Sequence, residues 1–131
     1  MGLFSRGTKD PTKKKAIELK KDLRKLVKQK KYSDALKIGN KILDKTPHDN
    51  DVLFIVGGIY YIQDKFKTAI SYFDKALNIG EYDTQVLLLK ANAHYHLGEP
   101  SKSKSCCEKI LEIDPKNKGV QELEEKLNNS S

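Results

Sequence analysis

Apolar side chains follow one another along residues 66–77 at the spacing of a single helix face. In the stretch FKTAISYFDKAL they stand at positions 66, 69, 70, 73, 76 and 77. Steps of three and one place these positions on one stripe of an α-helix. Alanines at Ala69 and Ala76 interrupt the larger side chains, which lets a second helix approach closely. The pattern predicts one helix of a packed pair.

The same pattern of apolar and small residues returns every 34 residues. The segments 31–47, 65–81 and 99–115 align without a gap, and the columns of the alignment hold residues of similar kind. A single helical hairpin cannot bury its own apolar stripe, so such units are expected to stack on one another. The equivalent positions include Tyr32, Phe66 and Pro100; Ala35, Ala69 and Ser103; Ile42, Ala76 and Ile110; and, in the preceding segments, Leu23, Gly57 and Ala91.

Prolines, glycines and capping residues between the apolar stripes predict where the helices begin and end. We expect seven helices, at about 12–29, 32–45, 49–62, 66–79, 83–96, 100–113 and 117–129. The expected N-caps are Thr12, Asp49 or Asn50, Asp83 and Asn117. The seventh helix carries Val120, Leu123 and Leu127 on one side and polar residues elsewhere, as expected of the end cap of a helical stack.

The predicted fold is all-α. It is an α-solenoid of three helix-turn-helix repeats, at about 16–49, 50–83 and 84–117, closed by the helix at 117–129. We expect one domain over residues 12–129. The basic leader 1–11 and residues 130–131 are expected to be disordered, as chain termini often are.

This repeat resembles the tetratricopeptide repeat. That family repeats a helix-turn-helix unit every 34 residues, with small, aromatic and proline residues at set places. The resemblance covers about residues 16–129 and implies a right-handed superhelical stack whose first helices line a concave groove. Ligands of this family usually bind in that groove, so the predicted function is that of a non-catalytic scaffold for a protein or peptide segment. The middle unit matches best, through Leu53, Gly57, Tyr60, Phe66, Ala69, Phe73, Ala76 and Leu77.

The inner positions implied by the resemblance differ between the three hairpins. The first hairpin is cationic there, the second is apolar and aromatic, and the third combines amides with aromatic residues. Aromatic side chains beyond those that the repeat needs are typical anchors for a partner, although Tyr61 and Tyr95 could equally pack against the next hairpin. Acidic groups of a ligand would meet the cationic end. The predicted groove residues are Lys20, Arg24, Lys28, Phe54, Tyr61, Ile62, Gln85, Leu88, Asn92, Tyr95 and His96.

One ligand of the family can be tested position by position. Some members hold the C-terminal carboxylate of heat-shock chaperones with Lys and Asn, then Asn, then Lys and Arg, from three successive units. The matching positions in this chain are Lys20 and Arg24, then Ile55, then Gln85 and Leu89. Only Lys20 agrees with that pattern. A doubly charged chain end would lack its partners, so this ligand is not expected.

Charge is distributed unevenly along the chain. Its 131 residues have a net charge of +7, but residues 1–45 carry +10 and residues 46–131 carry −3. A basic first helix would attract RNA phosphates or an anionic membrane in a salt-dependent way, and this is the alternative function. Self-association through the exposed lateral face of the first helix is a third hypothesis. The longest apolar run, at 52–62, is too short to span a bilayer.

Candidate catalytic groups are few. The sequence contains no phosphate-binding glycine loop and no spacing typical of a metal or cofactor site, so no enzymatic activity and no cofactor are expected. His94 and Cys107 fall in columns that hold aromatic residues in the middle repeat, which predicts packing roles, whereas Cys106 is expected to be more exposed. The adjacent cysteines cannot easily pair with each other, which favours a reducing compartment, the cytoplasm.

Overall fold

The computed structural model describes residues 11–129, with side chains from Lys15 onward. This part of the chain forms seven α-helices: α1 (Pro11–Lys28), α2 (Tyr32–Lys45), α3 (Asn50–Ile62), α4 (Phe66–Ile79), α5 (Thr84–His96), α6 (Pro100–Ile113) and α7 (Lys118–Asn129). The predicted all-α fold is confirmed, and the helix boundaries agree with the predicted ones to within one residue. The disorder predicted for 1–10 and 130–131 lies outside the described residues, and Pro11, assigned to the leader, is the first residue of α1.

The helices pair as three hairpins, α1/α2, α3/α4 and α5/α6, and each hairpin closes with the same turn. Lys30, Asp64 and Gly98 stand 34 residues apart and have φ angles of 58°, 61° and 73°. In each turn the amide of the following residue donates to the carbonyl five residues before it, at 2.9 Å. Such a left-handed turn satisfies the last carbonyls of a helix. The 34-residue repeat is therefore present in the backbone as well as in the side chains.

Side-chain caps begin the helices that follow each junction between hairpins. The Oδ1 atoms of Asp49, Asp83 and Asn117 accept hydrogen bonds from backbone amides two or three residues ahead, at 3.0–3.2 Å. These bonds satisfy amides that a helix N-terminus leaves unpaired, and the three predicted caps are confirmed. Thr12 lies inside α1 rather than before it, so the prediction that it caps this helix is wrong. No helix in the described part of the chain is both long and apolar enough to cross a bilayer.

Three clusters of buried apolar side chains follow one another along the stack. The first core cluster lies among α1, α2 and α3, the second among α3, α4 and α5, and the third among α5, α6 and α7. Leu43 packs against the first two clusters, and Leu77, 34 residues later, packs against the last two. In α7, Val120, Leu123 and Leu127 are buried. This burial confirms the predicted end cap.

Two adjacent glycines in α3 have opposite surroundings. A Cβ atom at Gly57 would lie 2.7 Å from Cε1 of Phe73, so the Phe73 ring of α4 lies directly against the backbone of α3. At Gly58 no atom of another helix lies within 4 Å of a Cβ built on the backbone. Gly57 is therefore required by packing, whereas Gly58 is not.

We expect the two alanine variants at these positions to change stability in opposite directions. Gly57→Ala should lower the free energy of unfolding by about 1–3 kcal/mol, because the added methyl group collides with a buried ring. Gly58→Ala should raise it by about 0.5–1 kcal/mol, because alanine loses less backbone entropy in a helix. Urea unfolding followed by circular dichroism measures both changes. Changes of the same sign in the two variants would contradict this packing at α3.

Candidate peptide-binding groove

The first helices of the three hairpins, α1, α3 and α5, present two rows of residues that we call the groove floor. The rows consist of Arg24, Gly58 and Asn92, and of Lys28, Ile62 and His96, with 34 residues between neighbours. Four of these residues are exposed, and the backbone at position 58 and the Asn92 side chain are half-buried. The predicted residue Gln85 is also exposed, at the start of α5. The floor is thus open to solvent along all three helices.

The cationic end of the floor is partly neutralised by the neighbouring hairpin. Lys20 Nζ lies 2.6 Å from Asp49 Oδ2, and the Lys20 side chain is 29% exposed. Arg24 Nη2 lies 3.9 Å from Asp51 Oδ2. Both acids belong to the start of the next first helix, so these pairs connect hairpins. A ligand carboxylate would compete with Asp49 for Lys20, whereas Lys28 is exposed and has no acidic side chain within 4.0 Å in the described residues.

Four predicted groove residues are half-buried against the core clusters and are not exposed on the floor. Phe54 and Tyr61 are half-buried against the second core cluster. Leu88 and Tyr95 are half-buried against the third. A Cβ atom at Gly119 of α7 would collide with Leu88, which shows that the end cap lies directly against it. For both tyrosines, packing against neighbouring elements is the arrangement that the structure shows.

Four rings meet where α3 and α5 end, and we call them the aromatic platform. His96 stacks on Phe66, with ring centroids 4.8 Å apart and planes at 14°. Tyr61 and Tyr95 meet His96 edge-on, at 6.0 and 5.5 Å, and Tyr61 also meets Phe66 edge-on at 5.3 Å. Such offset and edge-to-face pairs stabilise aromatic clusters. Burial, and to a smaller extent the Asp64 carboxylate, raises the pKa of Tyr61 above its ordinary value, which keeps its hydroxyl neutral.

The sequence brought Tyr61, Tyr95 and His96 into the candidate set but missed Phe66. Phe66 is the first residue of α4 and lies 30 positions from His96. The two rings meet only because the turn between α3 and α4 folds Phe66 back beside the end of α5. The repeat pattern assigned Phe66 a packing column, and no signal in that pattern indicates a contact with the groove.

Gly58, at the centre of the floor, carries no side chain, and a Cβ atom built there would be surrounded by open space; we call this open place the hollow. It is flanked along its row by Arg24 and by Asn92, whose Nδ2 donates to the carbonyl of Leu88 at 2.9 Å. One turn further along α3, Ile62 is 55% exposed. An exposed isoleucine beside an unfilled backbone position leaves apolar surface in contact with water, and a ligand side chain would cover it favourably.

His94, Ser103, Cys106 and Cys107 are buried and do not belong to the groove floor. His94 Nδ1 lies 2.8 Å from Glu99 Oε1, and the Ser103 hydroxyl donates to a backbone carbonyl of α5 at 2.8 Å. The packing roles predicted for His94 and Cys107 are confirmed. The prediction that Cys106 is more exposed is wrong, because it packs into the third core cluster and is 7% exposed. In the described residues, no three His, Cys, Asp or Glu side chains come together as potential metal ligands.

Burial raises the pKa of both thiols. The pKa of Cys107 rises from 9.0 to about 11, first through desolvation and then through the Glu124 carboxylate. The pKa of Cys106 is also raised, and burial is again the largest cause. Because the thiolate is the reactive form, neither cysteine is expected to act as a nucleophile near neutral pH.

We expect both cysteines to react slowly with Ellman's reagent at pH 8 in the folded protein and rapidly in urea. Burial favours the neutral thiol of Cys107 in the folded state. The contribution of this thiol to the free energy of unfolding is therefore complete below pH 9 and is lost as the pH rises from 9 towards 11. Urea unfolding across this range should show a decline in the unfolding free energy, and the decline should be smaller in Cys107→Ala. Labelling of the native protein at the rate of the unfolded chain would contradict the burial.

Comparison with known structures gives close matches to helical repeat domains. The first tetratricopeptide-repeat domain of Spaghetti (RPAP3), bound to the HSP90 peptide SRMEEVD, matches with a TM-score of 0.82 and 25% identity over 89% of this chain and 93% of that one. The OM64 domain from Arabidopsis matches with a TM-score of 0.81 and 16% identity, over 88% and 96%. The type III secretion chaperone SycD of Yersinia enterocolitica, in complex with a peptide of the translocator YopD, matches with 0.72 and 15%, over 86% of each chain.

Comparison at the level of sequence agrees with this fold. A search of curated protein sequences gave no match. The family model described as anaphase-promoting complex, cyclosome, subunit 3 matches residues 28–118, which include α2 to α6 entirely. The chain therefore belongs to the anaphase-promoting complex, cyclosome, subunit 3 family, and it is a tetratricopeptide-repeat protein.

Proposed function

We propose that this protein is a non-catalytic interaction scaffold that binds a peptide or protein segment in the groove. The observation that carries the proposal is the hollow at Gly58 beside Ile62, which is 55% exposed. Fully burying an isoleucine side chain is worth about 1.5–3 kcal/mol, and roughly half of that remains available here to a ligand. The aromatic platform borders the row of floor residues that contains Ile62 and His96, and it adds a rigid wall of aromatic rings.

Two of the similar structures support a peptide as the ligand class. The Spaghetti domain is bound to the peptide SRMEEVD, which is acidic towards its end, and SycD is bound to a peptide of YopD. In this chain Arg24 and Lys28 are exposed at the cationic end of the floor and suit an acidic residue of a ligand. We infer that the ligand places an apolar side chain at the hollow and an acidic one towards α1.

We do not propose that this groove binds the doubly charged C-terminus of a partner protein. Of the positions that would form it, Lys20 is already paired with Asp49. Ile55 packs against the first core cluster and Leu89 against the second, so neither offers a polar group to a ligand. Gln85 is exposed but uncharged. The groove therefore suits an internal segment of a partner better than a terminal carboxylate.

Peptides selected on the wild-type protein from a random display library test the proposal. We expect the selected peptides to bind Ile62→Asp and Gly58→Phe at least tenfold more weakly, a loss of about 1.4 kcal/mol or more. The matched control is Ile79→Asp, because Ile79 is 47% exposed but lies at the end of α4, outside the groove. Isothermal titration calorimetry measures the affinities, and thermal unfolding checks that all three variants are folded.

Equal affinity for wild type and Ile62→Asp would show that the ligand binds elsewhere. So would an equal loss in Ile79→Asp and Ile62→Asp, since that would reflect charge alone. The loss in the uncharged variant Gly58→Phe should depend only weakly on salt, because burial of apolar surface is not screened.

A second candidate function is favoured by one observation on α1. Lys21, Lys25 and Lys28 are exposed at spacings of four and three residues, which places them on one stripe of the helix. None of them has an acidic side chain within 4.0 Å among the described residues. Such a stripe suits RNA phosphates. Binding to single-stranded RNA that falls steeply with salt and is lost in Lys21→Glu/Lys25→Glu would identify this function.

A further inference from the structure

A small apolar slot lies at the open end of the first hairpin, between the start of α1 and the end of α2. It encloses about 60 Å³, and we call it the end slot. Its lining residues are Lys15, Ala16, Leu19, Lys41, Ile42, Lys45 and Thr46. The Thr46 hydroxyl donates to the backbone carbonyl of Ile42 at 2.9 Å, so it is already satisfied at the end of α2. The inner wall of the slot is therefore apolar.

The other two hairpins show what covers the equivalent place. The equivalent pairs of core residues are Leu19 and Ile42, Leu53 and Ala76, and Leu87 and Ile110. Leu43 of α2 packs against the second core cluster, which contains the middle pair, and it lines the same cleft as Leu53. Leu77 of α4 packs against the third core cluster, which contains the last pair, and it lines the same cleft as Leu87. In both hairpins a leucine from the preceding second helix thus covers this place.

The first hairpin lacks such a leucine. Leu53 and Leu87 are 1% and 2% exposed, whereas their equivalent, Leu19, is only half-buried. The residue 34 positions before Leu43 is Lys9. The register of the repeat therefore supplies a lysine, and no leucine, for the end slot. Covering the slot with an aliphatic side chain would remove apolar surface from water.

The rim of the end slot is cationic. Lys15, Lys41 and Lys45 are exposed, and none of them has an acidic side chain within 4.0 Å in the part of the chain that the structure describes. In the second hairpin the positions of Lys15 and Lys45 hold Asp49 and Ile79. Two of the three cations are therefore specific to the first hairpin. An apolar slot among three unpaired ammonium groups is complementary to a leucine that has carboxylates on either side.

A further hairpin, including that of a second copy of this chain, does not suit the same end of the stack. The positions of α3 that receive the preceding hairpin include Val52 and Val56, which are buried in the first core cluster. Their equivalents in α1 are Glu18 and Asp22, which are exposed. A stacked hairpin would bury these carboxylates, which is costly unless they are paired. The end slot therefore suits a short segment that does not cover the length of α1.

We propose that the end slot binds a leucine side chain from an acidic segment of a partner protein. The leucine lies against Leu19 and Ile42, as Leu43 lies against the second core cluster. Carboxylates on either side of it pair with the rim lysines. The end slot shares no residue with the groove floor, so this inference does not depend on the proposed function of the groove.

The test titrates the acetylated and amidated pentapeptide EELEE into the ¹⁵N-labelled full chain. We expect saturable amide shifts in nuclear magnetic resonance spectra at Leu19, Ile42 and Thr46. The peptide EEAEE lacks the leucine and QQLQQ lacks the charges, so each should bind about tenfold or more weakly than EELEE.

Variants of the chain test the same two features. Ala16→Leu fills the slot from within, and Lys41→Glu/Lys45→Glu reverses the charge of the rim. Each should weaken binding of EELEE about tenfold or more. The matched control is Lys25→Glu/Lys37→Glu, because these two lysines are exposed on the same helices but lie outside the slot. It should bind within about twofold of the wild-type affinity. If Ala16→Leu fails to fold, the lysine variant still tests the proposal.

Several outcomes would overturn the proposal. Equal affinity for EELEE and EEAEE would show attraction of anions without a place for leucine, and an equal loss in the control variant would show an effect of net charge alone. Shifts confined to Gly58 and Ile62 would place the peptide in the groove, which would reject the end slot and support the proposed function. If Leu3→Ser/Phe4→Ser shifts the amides of the slot without any peptide, the N-terminal segment of the chain itself fills the slot.

Discussion

Close contact between the two helices of each hairpin is the constraint on which the rest of the structure depends. At this contact a small residue on one helix meets a side chain of the other. A Cβ atom at Gly57 would lie 2.7 Å from Phe73 Cε1 of the same hairpin. A Cβ atom at Gly39 would lie 3.8 Å from Leu23 Cδ1 of the same hairpin and only 2.6 Å from Val56 Cγ2 of the next one, so this small residue also lets the second hairpin approach. The larger residue of the pair is therefore Leu23, on the first helix, in the first hairpin and Phe73, on the second helix, in the second hairpin. The equivalent pair in the third hairpin, Ala91 and Cys107, is fully packed in the third core cluster. Core packing tolerates such exchanges when the total volume is kept.

Because the backbone repeat is maintained in this way, other columns are free to differ, and one such difference creates the candidate site on the groove floor. The hollow at Gly58 exists because the equivalent floor positions carry Arg24 and Asn92 while this one carries no side chain. The surrounding positions keep their repeat-derived geometry. Function in a repeat protein therefore resides in departures from the repeat.

Two ion pairs connect the first hairpin to the second. Lys20 with Asp49 and Arg24 with Asp51 join α1 to the start of α3. These acids are held in place by the helix start, where Asp49 also caps α3. The exposed Arg24–Asp51 pair contributes little to stability, but both pairs orient side chains at the cationic end of the groove. The pairs also neutralise part of the positive charge that the first hairpin presents to a ligand. The groove floor is therefore less positive than the net charge of +10 in residues 1–45 indicates.

The sequence by itself determined the helices, their caps and the order of the stack. Helix periodicity, the small residues and the 34-residue register are local or regularly repeated signals, and the packing of one hairpin on the next follows from them. It could also assign buried positions such as His94 and Cys107, because their columns are occupied by core residues in the other repeats. Only the tertiary structure decided which candidate groove residues are open. Leu88 is covered by α7, Lys20 is paired with Asp49, and Phe66 joins His96 across a turn. These contacts depend on which elements end beside one another in space, and a column of equivalent residues carries no information about the neighbour at the end of the stack.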